Sequence, residues 1–206
     1  MNTSDGVGAR VVQTAGPVLI IGSGLLGASL GLALRAGGVR VYLEDASPTS
    51  LHLASDVGAG QAFGDVLTEA GVRPRECGSD TPSYQAPSIV VVATPPDVAD
   101  RVIVESLLRF PDAIVTDVAS VKDAVVADVL RGLEREGRLE EASRYVGSHP
   151  MAGRERSGAG AADADLFYGR PWVIVAHEST WPRAVLVARA LATDVGAVPL
   201  EMNAGT

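Results

Sequence analysis

The sequence predicts an α/β fold of the doubly wound, Rossmann type, with a mainly parallel sheet covered by helices on both faces. Short runs of consecutive apolar residues recur along the chain, as expected for strands buried on both faces. Stretches with apolar residues every three or four positions separate them, which is typical of helices that pack on a sheet. The 206 residues, 47% of them hydrophobic, are enough for one full core. We therefore expect one such domain over residues 17–206, preceded by a flexible tail over residues 1–16.

Seven runs have the character of buried strands. They are residues 18–21, 39–43, 89–93, 114–117, 145–147, 172–176 and 198–202. Four stretches have helical spacing, over residues 26–36, 98–110, 121–136 and 181–195. Asp97 is the predicted N-cap of the second of these helices, and Pro111 is predicted to stop it. Residues 58–87 are rich in Gly and Pro, and their pattern assigns no element, although one short strand could lie there.

The composition argues against several classes of partner. There are 17 Lys and Arg against 25 Asp and Glu, a formal net charge of -8, which would repel a nucleic acid or an anionic membrane. The apolar run over residues 18–34 contains four glycines and is better explained as a strand followed by a helix than as a membrane span. Three scattered histidines predict no metal site. Cys77 is the single cysteine, which excludes an intramolecular disulfide and fits a cytoplasmic protein.

A G-x-G-x-x-G pattern follows the first predicted strand and leads into the first predicted helix. Gly22 permits a tight turn, Gly24 lets the backbone approach a pyrophosphate, and Gly27 lets the helix pack closely on the strand. The helix N-terminus offers free N–H groups to the phosphates. The pattern therefore predicts a dinucleotide site, with cofactor contacts from Gly22, Ser23, Gly24, Leu25, Leu26 and Gly27.

Two further residues are predicted to contact the dinucleotide. Asp45 follows the second predicted strand, where an acidic residue about 20 positions beyond the glycine turn binds the ribose hydroxyls. Because a carboxylate there would repel a 2′-phosphate, NAD is favoured over NADP. Thr94 lies in an Ala-Thr-Pro-Pro turn after the strand over residues 89–93, at the edge of the sheet where ligands of this fold bind.

Two later stretches point to a reaction. Residues 116–122 read T-D-V-A-S-V-K, and residues 147–158 read G-S-H-P-M-A-G-R-E-R-S-G. Together they resemble the prephenate and arogenate dehydrogenase family, whose members show T-D-x-G-S-x-K followed by G-x-H-P-[MI]-A-G-x-E-x-S-G. The resemblance covers residues 18–202. Ala119 replaces the more usual glycine, and Arg154 stands where many members have threonine.

The resemblance implies oxidative decarboxylation in tyrosine biosynthesis. Prephenate loses a hydride from the ring carbon that bears the hydroxyl, and the ring carboxylate leaves as CO2 to give 4-hydroxyphenylpyruvate. His149 then accepts the proton of the ring hydroxyl, a task that suits a neutral imidazole, while Ser120 orients His149 beside the nicotinamide. Three residues would line or gate the substrate pocket, unless they form a solvated charged turn: Arg154, Glu155 and Arg156. Asp117 and Lys122 either support this site or serve as capping and surface residues.

Several alternatives remain open from the sequence. The substrate could be arogenate instead of prephenate, since the two differ in a side-chain group that this part of the chain does not obviously meet. Another dehydrogenase of the same architecture would not need the stretch around His149. A cofactor-binding module without turnover is a third possibility, because the family's second, helical domain completes the site and forms a homodimer. The resemblance implies that this helical domain is missing here.

Overall fold

The computed structural model describes residues 12–73, 76–78, 84–152 and 158–203. They form one sheet of eight strands with helices on both faces, which confirms the predicted Rossmann-type fold. The strands are β1 (Val18–Ile21), β2 (Val41–Glu44), β3 (Gln61–Ala62), β4 (Ile89–Val92), β5 (Ile114–Asp117), β6 (Tyr145–Pro150), β7 (Pro171–Ala176) and β8 (Val198–Asn203). The helices are α1 (Leu25–Ala36), α2 (Pro48–Asp56), α3 (Phe63–Ala70), α4 (Pro96–Arg109), α5 (Lys122–Arg135) and α6 (Pro182–Asp194). The order across the sheet is β3-β2-β1-β4-β5-β6-β7-β8.

Every predicted strand and helix is present. The differences concern their ends, three additional helices and strands, and two short 3-10 helices, Leu139–Arg144 and Ala159–Ala161. α2, β3 and α3 were not predicted; α2 is too short and weakly patterned to stand out, and only the possibility of a short strand was foreseen for β3. The predicted N-cap role of Asp97 is wrong. Pro95 is the N-cap of α4 and no side chain caps it, because Pro96 has the backbone angle of a first helical residue and starts the helix earlier.

The part of the predicted tail that the structure describes is bound to the domain. Asp194, at the end of α6, accepts hydrogen bonds from the backbone nitrogens of Gln13, at 3.0 Å, and Thr14, at 2.6 Å. The hydroxyl of Ser88 donates to the carbonyl of Ala15 at 2.7 Å. Residues 12–16 therefore lie along the domain, whereas residues 1–11 lie outside the described part.

The core has two layers, one on each face of the sheet. Side chains of α1, α2 and α6 pack on one face, around Ile20, Val91 and Trp172. Side chains of α3, α4 and α5 pack on the other, around Leu19, Val90 and Val115. Because β1, β4 and β5 are covered on both sides, their residues are buried almost without interruption, as parallel strands require.

The sheet changes direction after β6. β6 pairs in parallel with β5 only at Val115↔Tyr145 and Thr116↔Val146. From Gly147 onward it pairs antiparallel with β7, and β8 then pairs in parallel with β7. Beyond Val146, β6 therefore leaves β5 without a backbone ladder between the two strands.

One face of the last strand, β8, is exposed. Val198, Leu200 and Met202 alternate along β8 and are 50%, 47% and 49% exposed. In register with them on β7 stand Pro171, Val173 and Val175, and His149 of β6 pairs with Val173. His149 thus belongs to the same face as this exposed apolar row.

We expect Gly31→Ala to destabilise the domain by about 1–3 kcal/mol through overpacking. A Cβ on Gly31, inside α1, would lie 2.2 Å from the carbonyl oxygen of Ala59. Gly64→Ala is the matched control, because a Cβ there meets nothing within 4 Å and alanine favours α3. Urea unfolding of both variants measures the difference; equal midpoints would contradict the close packing of α1.

Candidate active site

The glycine turn between β1 and α1 has no room for larger residues at two positions. Gly22 has a φ of +104°, and a Cβ there would lie 2.5 Å from the carbonyl oxygen of Ala93 on the β4 side. A Cβ on Gly27 would lie 1.9 Å from the carbonyl oxygen of Gly22. A Cβ on Gly24 would meet nothing within 4 Å, so the space in front of the N-terminus of α1 is open. This is the arrangement that lets free N–H groups face a phosphate.

Asp45 is fixed against this turn. One carboxylate oxygen accepts a hydrogen bond from the backbone nitrogen of Ser23 at 2.6 Å, and the other accepts from the backbone nitrogen of Ser47 at 2.7 Å. Each oxygen keeps a lone-pair site for a further donor. The carboxylate is therefore held in place while it can still accept hydrogen bonds from a diol.

A cleft of about 620 Å³ opens beside Asp45, between the carboxyl ends of β1 and β2 and the face of α4. Gly22, Asp45, Thr94, Val98 and Arg109 are among its lining residues. The hydroxyls of Ser23 and Thr94 are buried and have no hydrogen-bond partner among the described residues. Because buried hydroxyls are normally paired, these two, with the open N-terminus of α1, fit a bound dinucleotide.

One ion pair in the cleft was not predicted. Arg109, the last residue of α4, contacts both carboxylate oxygens of Glu44 at 2.9 and 3.0 Å. Its guanidinium also lies over the rings of Phe63 and Phe110, 5.3 and 5.0 Å from their centroids. No local sequence pattern predicts a contact between residues 65 positions apart. The one available hint is that Glu44 is next to Asp45, which was predicted to contact the cofactor.

Asp117 is a buried hub at the end of β5, so the surface role left open for it is excluded. It is 0% exposed and accepts hydrogen bonds from the backbone nitrogen of Ala119 at 2.8 Å and the hydroxyl of Tyr145 at 2.7 Å. It also forms a salt bridge with Lys122. Burial lowers the pKa of Lys122, which Asp117 partly offsets. Burial, together with the Asp117 carboxylate, holds the pKa of Tyr145 well above its usual range, so the phenol stays a donor.

His149 lies on β6 at the same carboxyl edge. Its Nδ1 is buried and has no hydrogen-bond partner in the described part of the chain, so the predicted link to Ser120 is not made through this nitrogen here. Ser120 is exposed in the connection from β5 to α5. The glycine turn, Thr94 and Ser120 follow parallel strands, and His149 lies on β6 just beyond its parallel pairing with β5. The topology therefore brings these residues to one edge of the sheet.

Three predicted substrate residues cannot be placed. Arg154, Glu155 and Arg156 lie outside the described residues. Within the described ranges, no cluster of three or more His, Cys, Asp or Glu side chains could hold a metal ion. None of the described helices is long and apolar enough to cross a membrane.

Comparison with known proteins identifies the family. The sequence model of a family described as "Prephenate dehydrogenase, nucleotide-binding domain" matches residues 30–201. The chain belongs to the prephenate dehydrogenase family. A probable prephenate dehydrogenase, NovF of Streptomyces niveus, is 37% identical over 90% of this chain and 45% of that protein. The prephenate dehydrogenase of Bacillus subtilis is 27% identical over 93% of this chain and 47% of its own length.

Solved structures of the family share the fold. A prephenate dehydrogenase of Aquifex aeolicus, in complex with hydroxyphenyl propionate and NAD+, aligns with a TM-score of 0.73 at 26% identity, covering 92% of this chain and 60% of that one. An arogenate dehydrogenase of Synechocystis aligns with a TM-score of 0.71 at 24% identity. The chain spans about half the length of the curated relatives that it matches. It carries the nucleotide-binding domain of the prephenate dehydrogenase family.

The fixed carboxylate of Asp45 leads us to expect tighter binding of NAD than of NADP, because a 2′-phosphate would meet a negative charge. Asp45→Ser combined with Ser47→Arg should narrow the difference in affinity between NAD and NADP by about tenfold or more. Calorimetric titration with both cofactors measures it. His52→Arg, at an exposed position of α2 outside the cleft lining, is a control for added charge. Equal affinities in the parent chain would show that Asp45 does not hold the ribose.

Proposed function

We propose that this chain is the cofactor-binding and proton-accepting part of an NAD-dependent prephenate dehydrogenase. The observation that carries the proposal is the position of His149. Its buried, unpartnered Nδ1 stands at the sheet edge that also holds the dinucleotide cleft. The reaction would convert prephenate to 4-hydroxyphenylpyruvate and CO2, in tyrosine biosynthesis, with NAD as the hydride acceptor.

The residues around the cleft would hold NAD as follows. Asp45 accepts hydrogen bonds from the adenine ribose, and the backbone of residues 22–27 with the N-terminus of α1 binds the pyrophosphate. Leu25 and Leu26, the first residues of α1, present their N–H groups there. The hydroxyls of Ser23 and Thr94 donate to the same ligand, which would give both buried groups the partner that they lack.

His149 would act as the general base. A neutral imidazole at this position accepts the proton of the substrate's ring hydroxyl while hydride leaves the ring carbon that bears this hydroxyl. Ser120, which follows the carboxyl end of β5, would orient the imidazole, and its exposed hydroxyl can both donate and accept. Aromatisation of the ring then favours loss of the carboxylate as CO2.

Arogenate is the alternative substrate. It differs from prephenate by an amino group in place of the side-chain keto group. The described residues at this edge of the sheet do not favour either group. The family resemblance at residues 147–158 concerns the ring-hydroxyl end of the substrate, which the two share. Steady-state rates with each substrate distinguish them.

In the protein as it occurs naturally, we expect His149→Asn to lower kcat by at least about 10² because it removes the base. NAD affinity should stay nearly unchanged, since His149 lies outside the dinucleotide cleft. His52→Asn is the matched control: His52 is exposed on α2 and does not line the cleft. Initial rates of NADH formation measure kcat. Retention of most activity by His149→Asn would refute the proposed base.

We also expect the 206-residue chain by itself to bind NAD but to turn prephenate over very slowly. The exposed apolar row of β8 lies on the same face of the sheet as His149, so water is not excluded there and the substrate's ring is not oriented. NAD binding and prephenate-dependent NADH formation should be measured on one preparation. Turnover near 10 s⁻¹, about the median for enzymes, would contradict this expectation.

A further inference from the structure

The gap between β5 and β6 is spanned by side chains. The two strands share only two register pairs, and the last of these is Thr116↔Val146. Ser120 and His149 both lie beyond that pair, on opposite sides of the gap. Since no strand ladder connects them there, their relative position depends on whatever contacts cross between the strands.

Three hydrogen bonds and one packing contact cross this gap. The hydroxyl of Ser148, which is 0% exposed, donates to the backbone carbonyl of Asp117 at 2.6 Å and accepts from the hydroxyl of Thr116 at 3.2 Å. The hydroxyl of Tyr145 donates to the carboxylate of Asp117 at 2.7 Å. Lys122, paired with that carboxylate, lays its stem against β6, where a Cβ on Gly147 would lie 3.3 Å from its Cδ.

The residues that make these contacts are close neighbours in the chain of Ser120 and His149. Ser148 precedes His149 directly, and Asp117 and Lys122 flank the connection that carries Ser120. The carboxylate of Asp117 also accepts from the backbone nitrogen of Ala119, the residue before Ser120. We propose that Asp117, Lys122, Tyr145 and Ser148 form a positioning clamp that replaces the missing strand ladder and sets His149 opposite Ser120.

The clamp acts through His149 and takes no part in binding or chemistry. It rests on the proposed function, in which His149 is the base. Its four members are held by one another and by backbone groups, and hydrogen bonds of this kind fix a geometry whose loss by about 1 Å can cost as much as 10² in rate. Sequence pattern assigned Asp117 and Lys122 no definite role, and it singled out neither Tyr145 nor Ser148.

The test compares Ser148→Ala and Tyr145→Phe with Thr180→Val in the protein as it occurs naturally. Thr180→Val also deletes a hydroxyl bonded to β6, at the carbonyl of Tyr145, 3.2 Å away, but that bond does not cross to β5. With rates counted per NAD-binding site, Ser148→Ala should lower kcat at least about tenfold and Tyr145→Phe should lower it less. KM for NAD should stay within about twofold, and Thr180→Val should keep the parent kcat.

A double-mutant cycle makes the test specific. If the clamp acts through His149, Ser148→Ala should cause no further loss in a His149→Asn background. Additive losses, or a Ser148→Ala kcat within twofold of Thr180→Val, would overturn the clamp. If the parent protein turns over neither prephenate nor arogenate, the proposed function fails instead. The clamp is then tested by the ring-proton NMR signals of His149, which Ser148→Ala should shift while those of His52 stay in place; unchanged His149 signals would also overturn it.

Discussion

The carbonyl oxygen of Gly22 occupies the place where any side chain on Gly27 would have to lie, 1.9 Å from its Cβ position. This contact lets α1 begin directly above the end of β1, with its N-terminus facing the open edge of the sheet. Gly22 itself packs against the backbone after β4, so the turn, the helix and the neighbouring strand form one rigid unit. The dinucleotide cleft depends on it, because Asp45 is held by the backbone nitrogen of Ser23 in the same turn.

The part of the site around His149 is positioned differently from the dinucleotide cleft. At the cleft, parallel strands that are hydrogen-bonded along their length place Thr94 and Asp45. Past Val146, β6 turns from β5 to β7 and reverses its pairing. This parting opens the edge beside His149, at the cost of the backbone hydrogen bonds that would otherwise order it. Buried side chains such as Asp117 and Tyr145 supply hydrogen bonds in their place.

Electrostatics in these two parts of the site also differ. The formal net charge of -8 disfavours anions in general, and the cleft adds Glu44 and Asp45 to its wall. Its cation, Arg109, is engaged by Glu44. In the proposed complex, backbone N–H groups and not side-chain cations of the cleft would therefore meet the phosphates, which agrees with the predicted role of the glycine turn. Around Asp117, by contrast, the charged groups pair with each other. The carboxylate of Asp117 and the ammonium of Lys122 can therefore be buried together.

The sequence by itself determined the fold class, the dinucleotide turn and the family, because these are written in short-range patterns. Apolar runs mark β1 and β5 at their observed bounds, the three glycines lie within one turn, and the stretch around His149 is contiguous. It could not predict α2, which is short and weakly periodic, or α3, whose eight residues lie in a stretch rich in Gly and Pro. Nor could it predict the early start of α4 at its two prolines. Only the tertiary structure decided the pairing of Glu44 with Arg109, the burial of Asp117 and the reversal of β6. These depend on residues far apart in the chain, and no local pattern records which distant groups the packing of the sheet will bring within hydrogen-bond distance.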